Sequence, residues 1–474
     1  MNVAERPAPS LMHRVRRIHF VGIGGAGMSG IAEVMANLGF EVSGSDLKGS
    51  AVIDHLTDAG IQVALGHDPT LVENVDVVVS SSAIADDNPE LLAARAARIP
   101  VVPRAEMLGE LMRFRAGIAV AGTHGKTTTT SLIASLLAGA DMDPTFVVGG
   151  LVNAFGTNAR LGQGRYLVAE ADESDASFLL LQPVISLVTN IDRDHLDAYQ
   201  GSFDRLQQSF LEFLHHLPFF GVAVMCIDDP HVAELVPSVG RTVITYGLGE
   251  KADVRAENIR QRGRTMRFDL RLPDDDCHDG ALEISLAQPG RHNVLNALGA
   301  AAVSWELGLS RRQIQSGLNA FAGIGRRFAE IGDLKFPAGT ALAFEDYGHH
   351  PTELDAVIQA ARGGWPERRL VLVFQPHRFT RTRDQFDAFA RVLASVDLVV
   401  LADIYPAGEA PIAGIGSDAL GAAVEQRGAR VERIATPADA VDALGRIVED
   451  RDLLLIMGAG DIGALGGMLK EACA

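Results

Sequence analysis

Short runs of apolar, β-branched residues alternate with glycine loops and helix-like stretches along most of the sequence. The first example passes from IHFVGIG at 18–24 into SGIAEVMANLG at 29–39, with Gly39 at the predicted helix end. This alternation is typical of parallel sheets covered by helices. A length of 474 residues corresponds to about three domains of roughly 150 residues. We therefore predict an α/β protein of three successive domains.

Changes in this pattern give the expected domain boundaries. Residues 1–17 are rich in proline and charge and are predicted to form a disordered tail. A Rossmann-like domain is expected at 18–117, a P-loop ATPase-type domain at 118–325 and a second Rossmann-like domain at 326–474. Residues 253–287 alternate with period two, which predicts a small antiparallel sheet within the central domain.

Composition restricts the partners and the location of the chain. There are 42 Lys and Arg residues against 60 Asp and Glu residues, a formal net charge of −18. Such a chain is expected to repel nucleic acid and anionic membranes. No apolar run approaches the roughly 18 residues of a membrane span, and the N-terminus has no signal-peptide core. The cysteines, Cys226, Cys277 and Cys473, lie far apart, so we expect a cytoplasmic protein without zinc knuckles or disulfides.

The first glycine-rich segment has the dinucleotide-binding pattern GxGxxG. It spans Gly22–Gly27 after a predicted strand, and Asp46 follows 19 residues later at the end of the next strand. The glycines let a phosphate approach the backbone at a helix N-terminus. Three interpretations fit: NAD(P), another diphosphate such as a UDP-sugar, or a plain tight turn. The same pattern recurs at Gly458–Gly463, so the pattern alone does not indicate NAD.

The second glycine-rich segment, GTHGKT at Gly122–Thr127, stands between a predicted strand and a predicted helix. It resembles the P-loop GxxxxGK[ST], except that Val120 occupies the first glycine position. Backbone N–H groups can still surround phosphate oxygens, Lys126 can reach the β- and γ-phosphates, and Thr127 can bind Mg²⁺. The alternative is a glycine-rich turn with a solvated lysine.

Acidic residues cluster after two further predicted strands. Glu170 ends one strand and precedes an acidic loop, and His195 follows another strand amid aspartates. Each cluster alone could be a solvated loop. Beside a P-loop, they predict a metal site, and oxygen ligands with one imidazole favour Mg²⁺ or Mn²⁺ over zinc. The acidic neighbours are Asp172, Glu173 and Asp175 in the first loop and Asp192, Asp194 and Asp197 in the second.

Eight motifs in one order together resemble the Mur ligases, over about residues 18–465. The resemblance implies a UDP-binding domain, an ATPase domain and a domain that receives an amino acid. It implies that ATP phosphorylates a muramyl carboxylate, and that an amine then attacks the acyl phosphate. The motifs are VGIGGAGMSGIAEVM, AGTHGKTTTT, EADESDASF, TNIDRDHLDAY, GRHNVLNALGA, GRRF, EDYGHHPTE and FQPHRFTRT.

The resemblance also implies site residues. Lys126, Glu170, His195 and Arg327 would be catalytic. Two Mg²⁺ ions, replaceable by Mn²⁺, would be held by Thr127, Glu170 and His195. ATP would contact Gly122, Thr123, His124, Gly125, Lys126, Thr127, Thr128, His292, Asn293, Asn296, Arg327 and Asp346. The UDP-substrate would contact Gly22, Gly24, Gly25, Ala26, Gly27, Asp46 and Ser81. The amino acid and muramyl group would contact Tyr347, His349, Arg378 and Arg381. Arg326 and Arg378 could instead be surface arginines.

One departure distinguishes the branches of this family. Most branches use a carbamoylated lysine shortly after the metal histidine, but no lysine lies between Lys126 and Lys251. This fits the branch that joins L-alanine to UDP-N-acetylmuramic acid. We expect a monomer or weak homodimer that acts on small molecules. A tripeptide-recycling ligase, an NAD(P)-dependent dehydrogenase and a non-catalytic nucleotide sensor are the alternatives.

Overall fold

Three β-sheets organise the chain in this computed structural model. The structure describes residues 12, 14–25, 27–81, 83–273 and 280–473. Ala26, one of the predicted UDP-substrate residues, lies outside the described residues, as does most of the predicted tail 1–17. No helix in the described part is long and apolar enough to cross a membrane.

The first sheet consists of five parallel strands in the order β3-β2-β1-β4-β5. The central strand, β1, pairs with β2 on one side and with β4 on the other. The strand order therefore reverses at β1, although all five strands run in the same direction. In parallel sheets, ligands bind at the carboxyl ends of the strands beside such a reversal. The strands are β1 (Arg17–Val21), β2 (Glu41–Asp46), β3 (Gln62–Leu65), β4 (Val77–Ser80) and β5 (Val101–Pro103), with helices α1 (Met28–Asn37), α2 (Ala51–Asp58), α3 (Pro89–Ala96) and α4 (Arg104–Phe114).

The second sheet has ten strands in the order β15-β14-β13-β12-β11-β10-β6-β9-β7-β8. Its central strand β6 lies between β9 and β10 and leads into helix α5. The period-two segment forms β13 to β15, which continue one edge of this sheet. The elements are β6 (Ala116–Ala121), α5 (Lys126–Gly139), β7 (Thr145–Val152), β8 (Thr157–Arg160), β9 (Tyr166–Glu170), β10 (Ile185–Val188), α6 (Phe203–His215), β11 (Val222–Cys226), α7 (Pro230–Leu235), β12 (Thr242–Gly247), β13 (Val254–Arg262), β14 (Thr265–Arg271), β15 (Leu282–Leu286), α8 (Arg291–Glu306) and α9 (Arg311–Ala320).

The third sheet has six strands in the order β16-β17-β21-β18-β19-β20, and only β16 runs antiparallel to its neighbour. Strands β18, β19 and β21 are buried at every residue, as expected for parallel strands covered on both faces. The elements are β16 (Ala329–Phe336), β17 (Gly339–Asp346), α10 (Pro351–Gly364), β18 (Leu370–Phe374), α11 (Phe379–Asp384), α12 (Phe386–Leu393), β19 (Leu398–Ala402), α13 (Ser417–Glu425), β20 (Arg430–Ile434), α14 (Asp439–Ile447), β21 (Leu453–Met457) and α15 (Leu465–Ala472).

By its internal contacts the chain divides into two units. The first unit comprises Met1–Glu257, Asp269–Glu283 and Leu295–Phe321. The second unit comprises Asn258–Phe268, Ile284–Val294 and Ala322–Ala474. The first sheet and β6 to β12 thus lie in the first unit, and the third sheet lies in the second. The predicted α/β class with three sheet-based parts is confirmed.

Candidate active site

The P-loop follows β6, and two of its glycines have backbone angles that other residues rarely adopt. Gly122 has φ 127° and Gly125 has φ 83°. A Cβ atom at Gly122 would overlap the Oγ1 of Thr189, and one at Gly125 would lie 2.5 Å from the Oδ1 of Asn296. Both positions therefore require glycine, even though Val120 departs from the P-loop pattern.

The loop after β10 holds the P-loop in place. Asn190 accepts the backbone N–H of His124 at 2.8 Å and donates its amide to the carbonyl of the same residue at 3.0 Å. The Asp192 N–H donates to the Thr123 hydroxyl at 2.9 Å, and the Asp192 carboxylate lies 3.0 Å from the His124 ring. Asn190 was not predicted as a site residue. The loop conformation thus depends on a segment more than 60 residues away.

Lys126, the first residue of α5, turns back onto its own loop. Its Nζ donates to the carbonyls of Gly122 and Thr123 at 2.7 and 3.1 Å, and to Glu173 Oε2 at 2.8 Å. The Glu173 side chain is 2% exposed and that of Lys126 is 16% exposed. Burial lowers the pKa of Lys126, but Glu173, Asp172 and nearby carboxylates outweigh it and the pKa is raised. The ammonium is therefore charged, and Glu173 is a partner that the sequence did not single out.

The threonine run at the start of α5 has mixed roles. Thr129 donates to Asn296 at 3.2 Å, and Thr130 donates to the Lys126 carbonyl at 2.9 Å. Thr128 is buried and Thr127 is half-buried. Two of the four hydroxyls thus serve the structure of the helix and its neighbour α8.

Two of the predicted metal ligands, Glu170 and His195, lie on segments that contact each other through the acidic loop after β9. Glu170 ends β9 and accepts the Gly149 N–H at 2.6 Å. His195, with φ 55°, opens a 3₁₀ turn that ends at Tyr199, and the Tyr199 hydroxyl donates to the Glu173 carbonyl. The His195 ring lies 3.4 Å from the carboxylate of Asp194. Carboxylate, hydroxyl and imidazole donors on these segments fit the chemistry of Mg²⁺ or Mn²⁺.

The glycine loop after β1 is fixed by the end of β2. The Ser45 carbonyl accepts the N–H groups of Gly22 and Ile23 at 2.8 and 3.0 Å. Asp46 accepts the Gly24 N–H at 2.9 Å. The acidic residue of the predicted fingerprint therefore shapes the loop itself. Gly25 also lies in this loop, and Ser81 directly follows β4, whose carboxyl end lies at the same edge of the sheet.

Arg104, which begins α4, connects the glycine loop to the acidic cluster. A Cβ atom at Gly27 would lie 2.7 Å from its Nη1, and its Nη2 donates to Asp172 at 3.1 Å. A cavity of about 150 Å³ lies here, lined among others by Arg104, Gly27, Gly149 and Glu170. Arg104 and this cavity were missed because no local motif marks them. The predicted substrate and metal regions of the first unit therefore meet at one cavity.

In the second unit, Asp346 at the end of β17 holds two turns. Its carboxylate accepts the N–H groups of Phe328 and Gly348 at 2.8 and 2.7 Å. Burial raises the pKa of Asp346, although Arg327 and these hydrogen bonds oppose the shift. Arg327 also lies 3.8 Å from Glu353.

Three predicted ATP residues lie on or beside the first turn of α8. His292 belongs to the second unit, where burial first, and then Arg327, lowers its pKa to about 4. Asn293 donates to the Pro289 carbonyl at 2.8 Å. Asn296 belongs to the first unit and packs against the P-loop at Gly125.

The predicted amino-acid residues are brought together after β17 and β18. The ring centroids of Tyr347 and His349 lie 5.5 Å apart, and those of His349 and His377 also lie 5.5 Å apart. The His377 ring in turn stacks on Tyr405 at 5.5 Å. Burial lowers the pKa values of His349 and His377 to about 4, and the positive charge of Arg381 contributes to both. His377 and Tyr405 were not predicted, although His377 lies inside a motif of the resemblance.

Two arginines bring positive charge to these neutral imidazoles. Arg381 is 8% exposed on α11. Arg378 precedes α11 with φ 72°, and its positive charge lowers the pKa of His377. Arg378 is exposed, in agreement with the alternative that it is a surface arginine. A guanidinium beside neutral rings can bind a carboxylate through charge-assisted hydrogen bonds.

Family models match three consecutive parts of the chain. "Mur ligase family, catalytic domain" matches residues 17–116, "Mur ligase middle domain" matches 120–304, and "Mur ligase, glutamate ligase domain" matches 326–460. The UDP-N-acetylmuramate–L-alanine ligase of Stenotrophomonas maltophilia (strain K279a) is 56% identical over 458 residues, 96% of this chain and 95% of the relative. That of Halorhodospira halophila (strain DSM 244 / SL1) is 56% identical over 97% of this chain and 94% of the relative.

Solved structures have the same architecture. The UDP-N-acetylmuramate-alanine ligase of Thermotoga maritima has a TM-score of 0.80 at 28% identity, over 96% of this chain and 98% of that chain. A murein peptide ligase from Psychrobacter arcticus has a TM-score of 0.71 at 25% identity, over 97% and 98%. The resemblance inferred from the eight motifs is confirmed: the chain belongs to the Mur ligase family.

Proposed function

We propose that the chain is an ATP-dependent ligase that joins L-alanine to the carboxylate of UDP-N-acetylmuramic acid, a step of peptidoglycan precursor synthesis. The observation that carries this proposal is the arrangement of the first unit. There, the glycine loop after β1 and the acidic residues Glu170 and Asp172 line one small cavity, and the buried P-loop lysine is paired with Glu173 of the same acidic loop. The 56% identical relatives named for this reaction support the choice of substrates.

The reaction needs activation, because a carboxylate is a poor electrophile and its oxygen is a poor leaving group. A substrate carboxylate oxygen attacks the γ-phosphorus, and ADP leaves. The alanine amine then attacks the acyl carbon, inorganic phosphate leaves with the former carboxylate oxygen, and the amine loses a proton to give the amide. The P-loop N–H groups and the ammonium of Lys126 neutralise the phosphates and align them for transfer.

Thr127, Glu170 and His195 are assigned to two Mg²⁺ ions, with Mn²⁺ as a substitute. When bound, these ions would neutralise phosphate charge and orient the γ-phosphate towards the acceptor oxygen. The segments carrying Glu170 and His195 are held by the Gly149 N–H and by the contact of Tyr199 with the acidic loop. Contacts within the first unit therefore fix both of these segments.

The glycine loop after β1 is assigned to the UDP diphosphate. Arg104, which lies between this loop and Asp172, is assigned to the part of the substrate that extends towards the acidic cluster. The arginines and imidazoles around Tyr347 in the second unit are assigned to the L-alanine carboxylate. Because the reaction consumes ATP and a nucleotide-linked sugar, we also propose a cytoplasmic location.

Phosphate release from ATP tests the proposal. The full mixture contains Mg²⁺, UDP-N-acetylmuramic acid and L-alanine, and each component is omitted in turn. Release that requires all of them supports the ligase. Release with the tripeptide L-Ala-γ-D-Glu-meso-diaminopimelate, but not with L-alanine, would assign the recycling reaction instead. NADH binding without any acceptor-dependent release would favour the dehydrogenase alternative.

A further inference from the structure

The second GxGxxG pattern, Gly458–Gly463, has no role in the proposed reaction. It follows β21, and in the structure it encloses the side chain of Arg326. The Arg326 Nη2 donates to the Gly458 carbonyl at 2.8 Å. A Cβ atom at Gly463 would lie 2.5 Å from the guanidinium carbon. The glycine at 463 therefore provides the space that the guanidinium occupies.

The other side of this guanidinium contacts an aromatic ring. The Cζ atom of Arg326 lies 5.0 Å from the ring centroid of Tyr347, and the Cζ atom of Arg327 lies 5.3 Å from the same centroid. Both distances are within the range of cation–π attraction. The backbone joins the same residues, because the Tyr347 N–H donates to the Arg326 carbonyl at 2.8 Å. The Tyr347 ring is thus in contact with two guanidinium groups.

The surroundings of Arg326 hold this residue in one conformation. Its Nε is buried and has no hydrogen-bond partner among the described residues. Its backbone has φ 58°, a conformation that non-glycine residues hold only when the surroundings enforce it. The sequence left open that Arg326 is a surface arginine; in the structure it is half-buried.

We infer that Arg326 is a positioning residue, which the Gly458–Gly463 loop holds so that its guanidinium fixes the ring of Tyr347. Tyr347 in turn borders His349 in the site assigned to L-alanine. The inference rests on the proposed function, since it concerns the affinity for the amino acid. Arg326 itself touches no reacting atom and acts through Tyr347.

A double-mutant cycle with Arg326→Ala and Gly463→Ala tests this inference. In the unmodified background the new methyl group displaces the guanidinium, so Gly463→Ala is expected to raise the KM for L-alanine about three- to tenfold. The KM for ATP is expected to stay within about twofold. In the Arg326→Ala background the methyl group has space, so Gly463→Ala should have no further effect. Arg326→Lys keeps the charge but loses the planar group, so its KM for L-alanine should lie between those of the unmodified chain and Arg326→Ala.

Gly467→Ala is the matched control, because a Cβ atom there meets nothing within 4 Å. The inference is overturned if the effects of Arg326→Ala and Gly463→Ala on the alanine KM add, if Gly463→Ala behaves like the control, or if both KM values rise equally. Thermal unfolding of the same four proteins gives a readout independent of activity. If the unmodified chain shows no alanine-dependent phosphate release, the proposed function fails, and non-additive melting temperatures still decide whether the glycines hold Arg326.

Discussion

The buried ion pair of the P-loop gives a prediction in which stability and catalysis separate. Replacing Lys126 by Met removes the ammonium and leaves the Glu173 carboxylate, which is 2% exposed, without its partner at 2.8 Å. Removing one partner of a buried pair costs about 3–5 kcal/mol. Because Lys126 is itself 16% exposed, we expect a loss near the lower limit, about 3 kcal/mol.

Replacing the other partner, Glu173, should lower the free energy of unfolding less. In Glu173→Gln the ammonium keeps the carbonyls of Gly122 and Thr123 and remains near Asp172. The loss is then of the order of one charged hydrogen bond, about 1.5–3 kcal/mol. In the double variant neither charge is left alone, so its stability should exceed that of Lys126→Met by about 1–2 kcal/mol.

Urea denaturation midpoints of the four proteins, compared at equal slope, measure this coupling. Phosphate release is measured in parallel. We expect both variants that lack Lys126 to be inactive, so that Glu173→Gln restores stability without restoring turnover. A double variant as unstable as Lys126→Met alone would refute the idea that Glu173 is the charge partner of Lys126. Full turnover in Lys126→Met would refute the assignment of the lysine to the phosphates.

Three further predictions concern other parts of the chain. Gly122→Ala forces φ 127° on alanine, and the new methyl group overlaps the Thr189 hydroxyl. It should lower the free energy of unfolding by at least about 2 kcal/mol and weaken ATP binding measured by calorimetry. The control Gly139→Ala has open space around its Cβ and should change the free energy of unfolding little. Burial lowers the pKa of His349 to about 4 in the folded chain, below the unfolded value of about 6.5. The free energy of unfolding should therefore fall as the pH drops from about 6.5 to about 4, by about 2 kcal/mol at pH 5. His349→Gln should remove this part of the loss, and a pH profile of stability that the variant leaves unchanged would contradict the prediction. Asp46→Asn weakens the hydrogen bond that shapes the glycine loop and should raise the KM for the sugar nucleotide about tenfold, with the KM for ATP unchanged; equal effects on both would count against the assignment.

Features that depend on neighbouring residues could be predicted from the sequence. The alternation of strands and helices is local, and it gave the α/β class and the three sheets. The glycines of the P-loop were recognisable because the angles at Gly122 and Gly125 leave few alternatives. Lys126 was recognisable from its position in the sequence, directly after Gly125.

Features that depend on side chains from distant segments could not be predicted. Several carboxylates follow β9, and only the packed structure shows that Glu173, rather than Glu170, lies against Lys126. Asn190 carries no motif, yet it makes two hydrogen bonds to the P-loop. Arg104 looked like an ordinary helix start, and its contact with Asp172 spans 68 positions of the chain. Such contacts follow from the tertiary packing of strands that are not adjacent in sequence.

The two GxGxxG segments show why such a pattern predicts backbone geometry more reliably than it predicts a ligand. Both follow a parallel strand that lies between two other strands of its sheet. After β1 the adjacent side chain is an acid, Asp46, whose carboxylate accepts a loop N–H. After β21 the neighbouring side chain is a cation, Arg326, which binds a loop carbonyl and fills the space at Gly463. Each loop is therefore contacted by a charged residue outside the pattern, 19 residues downstream in the first case and more than 130 upstream in the second.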